Sequence, residues 1–256
     1  EIGMDPAEVR RRNFVQPDEF PYDTGIGMLP YDSGDYEPAL DKALQMIGYD
    51  ELRAEQKRRR ESGDGRLLGI GLSSYVEVCG IAPTKYITSE GWGAGLFESA
   101  NVKVHLSGKV VVTTGSMPHG QGHETTFAQV AADKLGVPIE DIQLKFGDTL
   151  GTPFGYGTYG SRSLTVGGEA IVRSANKIVD KARRLAAHML EVDVEDIEWS
   201  NGKATVKGSP DQVKTIQEIA LAAAVPVNLP DGMEPFLDET TYYDPPNCTF
   251  PFGTHI

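Results

Sequence analysis

The segment Ser116-Met117-Pro118-His119-Gly120-Gln121-Gly122-His123-Glu124-Thr125-Thr126 gathers two imidazoles, an amide, a carboxylate and hydroxyls around a Gly-x-Gly turn. It stands where a strand pattern gives way to a helix pattern. Glycines at such a junction let a ligand approach the backbone closely. The following helix points its unsatisfied N–H groups back at the loop, a setting that suits an anionic or polar ligand such as a phosphate or a pterin edge. A tight strand–helix turn with no ligand reads equally well from these residues. A second loop, Gly151-Thr152-Pro153-Phe154-Gly155-Tyr156-Gly157-Thr158-Tyr159-Gly160-Ser161-Arg162-Ser163, contains a literal GxGxxG at residues 155–160. A dinucleotide fold needs a strand ending just before that motif and an acid about 20 positions on, at the tip of the next strand. Here the strand ends near Gly147, and the acid at that offset, Asp180, falls inside a long helix pattern. What remains is a glycine loop ending in Ser-Arg-Ser at a helix start. It reads as a phosphate or pterin cradle, or as serine caps beside a paired arginine.

His119 and His123 with Glu124 also raise a zinc-dependent hydrolase as an alternative. The HExxH logic places both histidines on one helix face with Glu directly after the first, whereas here Gly-Gln-Gly separates them. Gly167-Gly168-Glu169 invites a catalytic-carboxylate reading, but an acid early in a helix is ordinary. Tyr75, Trp92, Tyr156 and Tyr159 read as core aromatics sooner than as a pocket wall.

Composition narrows the class. The formal net charge is −13, which argues against a nucleic-acid surface, since that needs a basic stripe. The two cysteines, Cys79 and Cys248, form no CxxC pair, so no iron–sulfur cluster, zinc ribbon or disulfide scaffold is expected within the chain. No apolar run approaches the ~20 residues of a membrane span, and a cytoplasmic setting is expected. Asn247-Cys248-Thr249 matches a glycosylation sequon by chance on this reading. The first and last residues read like the inside of elements, so the chain is expected to be a fragment of a longer protein.

The elements that must position the loops follow from period and punctuation. Asp5-Pro6 starts a helix, with Asp as cap and Pro at the first position. Residues 14–35 read as a connector. A helical period runs over 37–61 with a break at Gly48, and Lys57-Arg58-Arg59-Arg60 closes it as a solvated end. The pattern then predicts a strand over 67–78, and two strands, 100–106 and 109–114, around the Ser107-Gly108 turn. It continues with a helix over 124–135, a strand over 141–146 and a long helix over 164–190. A hairpin turning at Asn201-Gly202 comes next, then a capping box at Thr215-Ile216-Gln217-Glu218 and a strand over 236–243. Hairpins mixed with helices give an α+β class, with mixed sheets and packed helices.

Taken together, several stretches resemble the molybdenum hydroxylase (xanthine dehydrogenase) family, and within it the large, molybdopterin-binding subunits of the aerobic carbon monoxide dehydrogenase type. They are Met4-Asp5-Pro6-Ala7-Glu8-Val9-Arg10-Arg11-Arg12-Asn13-Phe14, Tyr31-Asp32-Ser33-Gly34-Asp35-Tyr36, residues 118–129, Gly157-Thr158-Tyr159-Gly160-Ser161-Arg162-Ser163 and Asp244-Pro245-Pro246-Asn247. The resemblance implies a molybdopterin cofactor with molybdenum, in bacterial members often the cytosine dinucleotide form, with copper in carbon monoxide dehydrogenases proper. It implies that His119, Gly120, Gln121, Gly122, His123 and Thr125, with Thr158, Gly160, Ser161, Arg162 and Ser163, hold the pterin and pyrophosphate. It implies insertion of a water-derived oxygen into a small substrate, with electrons passed to iron–sulfur and flavin subunits. Carbon monoxide, aldehydes and N-heterocycles all stay open as substrates. The family's substrate-discriminating loop lies upstream of the matched region and its catalytic glutamate downstream. No residue here is therefore expected to be the general base, and the fragment alone is expected to be inactive. Residues 1–65 are expected to finish one molybdenum-cofactor-binding domain, and 66–256 to supply most of a second. A cofactor-less scaffold of the same fold is the remaining alternative.

Overall fold

The computed structural model describes residues 2–25, 29–63, 65–81, 83–89, 91, 93 and 95–256. By contacts the chain divides into two compact units, Glu1–Cys79 with Cys248–Ile256, and Gly80–Asn247. In the first, Asp5 caps α1 (Pro6–Arg11), its Oδ1 accepting from the Ala7 N–H at 2.8 Å. The connector after it includes a bridge, Tyr22 to Tyr31. Gly48, left-handed at φ 63°, breaks the next helical stretch into α2 (Tyr36–Ile47) and α3 (Tyr49–Ser62). Leu40 and Tyr49 bury against Ala7, so the three helices share a small core. The predicted strand over 67–78 shrinks to β1 (Ser73–Val76). Alternation alone does not make a strand. A partner must satisfy its backbone, and only residues 73–76 find one within a sheet.

The second unit opens with the single turn α4 (Thr84–Ile87). Its main sheet uses β2 (Glu98–Val104) and β3 (Val110–Thr114), antiparallel across Ser107-Gly108. Then α5 (His123–Leu135) crosses to β4 (Ile142–Lys145), which pairs parallel to β3. The long predicted helix over 164–190 begins instead with a π-helical segment, Ser163–Gly168, before α6 (Glu169–Leu190). The small sheet follows: β5 (Ile197–Ser200), β6 (Lys203–Val206) and β7 (Ser209–Thr215). The sequence reading missed β7, because Ser-Pro-Asp-Gln-Val-Lys-Thr carries no apolar alternation. It is an edge strand, where Pro210 is tolerated. After α7 (Ile216–Ala223), β8 (Leu237–Tyr243) completes the main sheet in the order β4-β3-β2-β8. Finally β9 (Phe252–His255) returns to pair with β1 in the first unit.

The organising element of the second unit is α6. Ile171, Ala175, Ile178, Ala182 and Leu185 recur at helical spacing and have no exposed surface. They share one core with Val102 and Val112 of the main sheet, Phe127, Ala131 and Leu135 of α5, and Ile197 and Ala204 of the small sheet. The class is α+β with mixed sheets, as the sequence implies.

The capping box at α7 forms fully. Glu218 Oε2 accepts from the Thr215 N–H at 2.8 Å and from its hydroxyl at 2.9 Å. These bonds, backbone first, hold the Glu218 carboxyl below its ordinary value. A carboxylate lowered in the folded state contributes stability that is present above its unfolded pKa and is lost as pH falls through its folded one. Thr215→Ala is expected to cost about 1 kcal/mol near neutral pH, and less in acid. Thermal melts of both proteins across the acidic range check this.

Candidate functional site

Both glycine loops grow from the same end of the main sheet. The first leaves β3 through Gly115 and Ser116 and enters α5 at Gly122, which caps that helix at φ 75° with no side-chain cap bond. The second follows β4 and enters the π-helical segment at Arg162, again with no side-chain cap bond. Two helical mouths are therefore left without side-chain acceptors for their first N–H groups.

The loops converge on a residue that sequence reasoning did not single out, Glu98, the first residue of β2. Its carboxylate has no exposed surface. Oε1 accepts from the Ser99 N–H at 3.0 Å, and Oε2 accepts from the Ser116 hydroxyl at 3.1 Å and from Arg162 Nη1 at 3.0 Å. A Cβ added at Gly115 would stand 2.2 Å from Oε1, and one at Gly155 only 1.7 Å from it. The carboxylate is thus wedged between the backbones of both loop stems. No local signal marks Glu98, because an acid before Ser-Ala-Asn at a strand start reads as surface.

Arg162 is the principal correction. It was expected to offer its guanidinium to a ligand. Instead the guanidinium is wholly buried. Nη1 also donates to the Gly157 carbonyl at 2.5 Å, and Nη2 donates to the carbonyls of Leu96 and, at 3.0 Å, Phe97. An internal carboxylate and three carbonyls take the donors that an external anion would have needed. Tyr159 lies beneath the guanidinium at 5.3 Å from ring centroid to Cζ.

The other expected site residues divide by exposure. His119, Gln121 and Thr125 are exposed, and the Gln121 side-chain carbonyl accepts from the His119 N–H, so its NH2 is not used in that bond. Added Cβ atoms at Gly120, Gly122 and Gly157 would meet nothing within 4 Å, so those backbone faces are open. Gly160 is not open in this way, since its Cβ direction points at Ile81 Cδ1, 3.2 Å away. Ser163 donates to the Thr158 hydroxyl at 2.9 Å, closing the second loop on itself, while Ser161 is exposed at φ 51°. His123 is 6% exposed and stacks on Phe127 at 4.7 Å, and its Nδ1 is buried with no hydrogen-bond partner. A Cβ at Gly168 would stand 4.0 Å from the Phe127 ring, so Phe127 links the two mouths.

Among the described residues, no group of three or more His, Cys, Asp or Glu is placed to hold a metal. Glu169 pairs with Arg173 at 2.9 Å on the surface of α6. Tyr156 packs edge-on against Phe97 and Phe154, and Tyr75 stacks on His255. Trp92 lies outside the described residues. No helix among the described residues is long and apolar enough to cross a membrane.

Residues 42–256 match the family model described as molybdopterin cofactor-binding domain. The chain is 45% identical over its whole length to the carbon monoxide dehydrogenase large chain of Hydrogenophaga pseudoflava, and spans 31% of that protein's length. It superposes on a solved structure of the Cu,Mo-CO dehydrogenase in its carbon monoxide reduced state with a TM-score of 0.87 at 44% identity, covering 98% of this chain and 31% of that one. For quinoline 2-oxidoreductase from Pseudomonas putida 86 the TM-score is 0.86 at 35% identity, covering 98% and 32%. These likenesses overturn the zinc-hydrolase alternative, whose three residues also form no metal cluster. By sequence and by fold, the chain belongs to the molybdopterin cofactor-binding domain family.

Proposed function

We propose that this chain is the cofactor-holding part of the large subunit of a carbon monoxide dehydrogenase-type molybdenum hydroxylase. Residues 1–65 would complete one cofactor-binding domain and 66–256 most of another. The observation that carries the reading is the pair of helical mouths left uncapped by side chains, joined at one buried carboxylate and bordered by glycines with open faces. The residues fit a pterin with a pyrophosphate tail. Gln121 offers an exposed amide, Gly120 and Gly122 open backbone, His123 an orphaned buried nitrogen, and Thr125 and Ser161 exposed hydroxyls. Thr158 and Ser163 hold the second loop's shape, and Gly160 packs it against Ile81. When bound, molybdenum would supply the redox and oxygen-transfer chemistry. The chain's own residues hold the pterin, aim it through helix-terminal N–H groups and exclude water at the Glu98 end. The iron–sulfur and flavin subunits, the rest of the large subunit and a cytoplasmic setting belong to the same proposal.

Elemental analysis of the native full-length complex, with pterin fluorescence after denaturation, tests it. Near-stoichiometric molybdenum with pterin is expected. Copper alongside would select carbon monoxide as substrate, and its absence would favour an aldehyde or N-heterocycle. Absence of both metal and pterin from folded protein would leave a cofactor-less scaffold. Gln121→Ala is expected to weaken cofactor retention several-fold, through loss of one or two hydrogen bonds of about 0.5–1.5 kcal/mol each. Its unfolding temperature should change little, because the side chain is exposed and its bond from the His119 N–H lies at the exposed loop.

A further inference from the structure

We infer that the Glu98–Arg162 pair is the common anchor of the two glycine loops, so that Glu98 is a positioning residue for whatever both loops hold. With no exposed surface, it cannot touch a ligand itself. The inference rests on the proposed cofactor reading only for its consequence, not for its geometry.

Glu98 and Arg162 stand 64 positions apart in the chain. Glu98 receives one bond from each loop, the Ser116 hydroxyl from the first and the Arg162 guanidinium from the second. Ser99, the next residue of β2, adds a third tie, its hydroxyl donating to the Phe154 carbonyl at 2.6 Å. Arg162 then spreads the anchor backwards along its own loop to Gly157 and across to the β2 lead-in at Leu96 and Phe97. The glycines are part of the device. The Cβ positions of Gly115 and Gly155 would fall 2.7 and 2.8 Å from each other's Cα, so the two stems touch and admit no side chain between them. Gly167 makes room on a third side, where a Cβ would stand 2.5 Å from the Ser116 hydroxyl. An ordinary structural ion pair needs neither three bare backbones around one carboxylate nor one acceptor shared by two loops. The arrangement ties the stems of both loops to one residue of β2.

A carboxylate accepts on both oxygens, and each is used here. An amide of the same shape presents NH2 on one side, so Glu98→Gln must turn a donor toward Ser99, or toward Ser116 and Arg162. The test is hydrogen–deuterium exchange on the full-length cofactor-free enzyme, wild type and Glu98→Gln, with molybdenum content of the matured enzyme read in parallel. Amides over 115–122 and 155–163 are expected to exchange together, at least roughly tenfold faster, and to gain more than the hairpin over 197–206 gains. Molybdenum content should fall with them. Acceleration of one loop alone, or uniform acceleration across residues 80–247, would overturn the anchor. If Glu98→Gln does not accumulate, Glu98→Gln with Arg162→Met, which buries no net charge, is measured the same way and carries the same expectation. Failure of both to fold would show that the pair serves the whole fold and not the loops, and would also overturn the anchor. Coupled loosening with unchanged molybdenum would support the anchor while counting against the loops as the cofactor site. The two readings therefore fail separately.

Discussion

Truncating Arg162 to alanine is expected to destabilise the unit Gly80–Asn247 by about 3–5 kcal/mol, the scale for breaking a fully buried ion pair by removing one partner. The cost comes from what is left behind. Glu98 would keep a charge with no exposed surface and no counter-ion, and the carbonyls of Leu96, Phe97 and Gly157 would each lose a donor. Water cannot compensate unless the loops part. Urea denaturation of wild type and variant measures the difference. A loss under ~1 kcal/mol, the range of exposed pairs, would mean that the site is solvated and that the loops are not held through it.

Phe127→Ala should cost a similar amount, about 3–5 kcal/mol, as expected for emptying a large aromatic from a core. Phe127 is 1% exposed and belongs to the core that α5 shares with α6 and both sheets. Its second role makes the variant informative. The ring carries the stacked His123 imidazole and faces Gly168 of the π-helical segment. Losing it should free the imidazole and blunt both mouths, so molybdenum retention in the full-length enzyme is expected to fall along with the urea midpoint. Phe127→Leu, which refills most of the volume, should recover much of the stability. Loss of stability with full retention would remove Phe127 and His123 from the account of the site.

Much of this arrangement is legible in the residues, and the exceptions share one cause. Asp5, Gly48, Gly122 and the Thr215–Glu218 box all act on neighbours within a few positions, so their roles can be read locally. The two loops are visible because glycine, hydroxyl and amide cluster there before helical patterns. Glu98 is invisible because its partners lie 18 and 64 positions away and nothing near it signals burial. For the same reason Arg162 was read outward. A sequence shows that five N–H donors exist, not that an internal carboxylate and three carbonyls take the Nη donors first and leave Nε buried with no partner. Likewise Gly160 looks like its neighbours in the motif until Ile81 is found packed against it. The π-helical start of the long helix also escapes the pattern. It occurs where Gly167 makes room for Ser116, a contact set by a distant residue and not by period.

The pairing of β1 with β9 has a consequence in time. Ser73 faces His255 and Val76 faces Phe252, yet the whole unit Gly80–Asn247 is synthesised between them. At ribosomal rates of about 5–20 residues per second, β1 waits roughly ten to thirty-five seconds for its partner. During that interval the inserted unit can gather its own core around α6, since every strand of its two sheets lies within it. The nascent first unit, by contrast, exposes an unpaired strand, the kind of edge on which chaperones and misfolding both act. Folding during synthesis should therefore be more vulnerable in the first unit than in the part that carries the glycine loops.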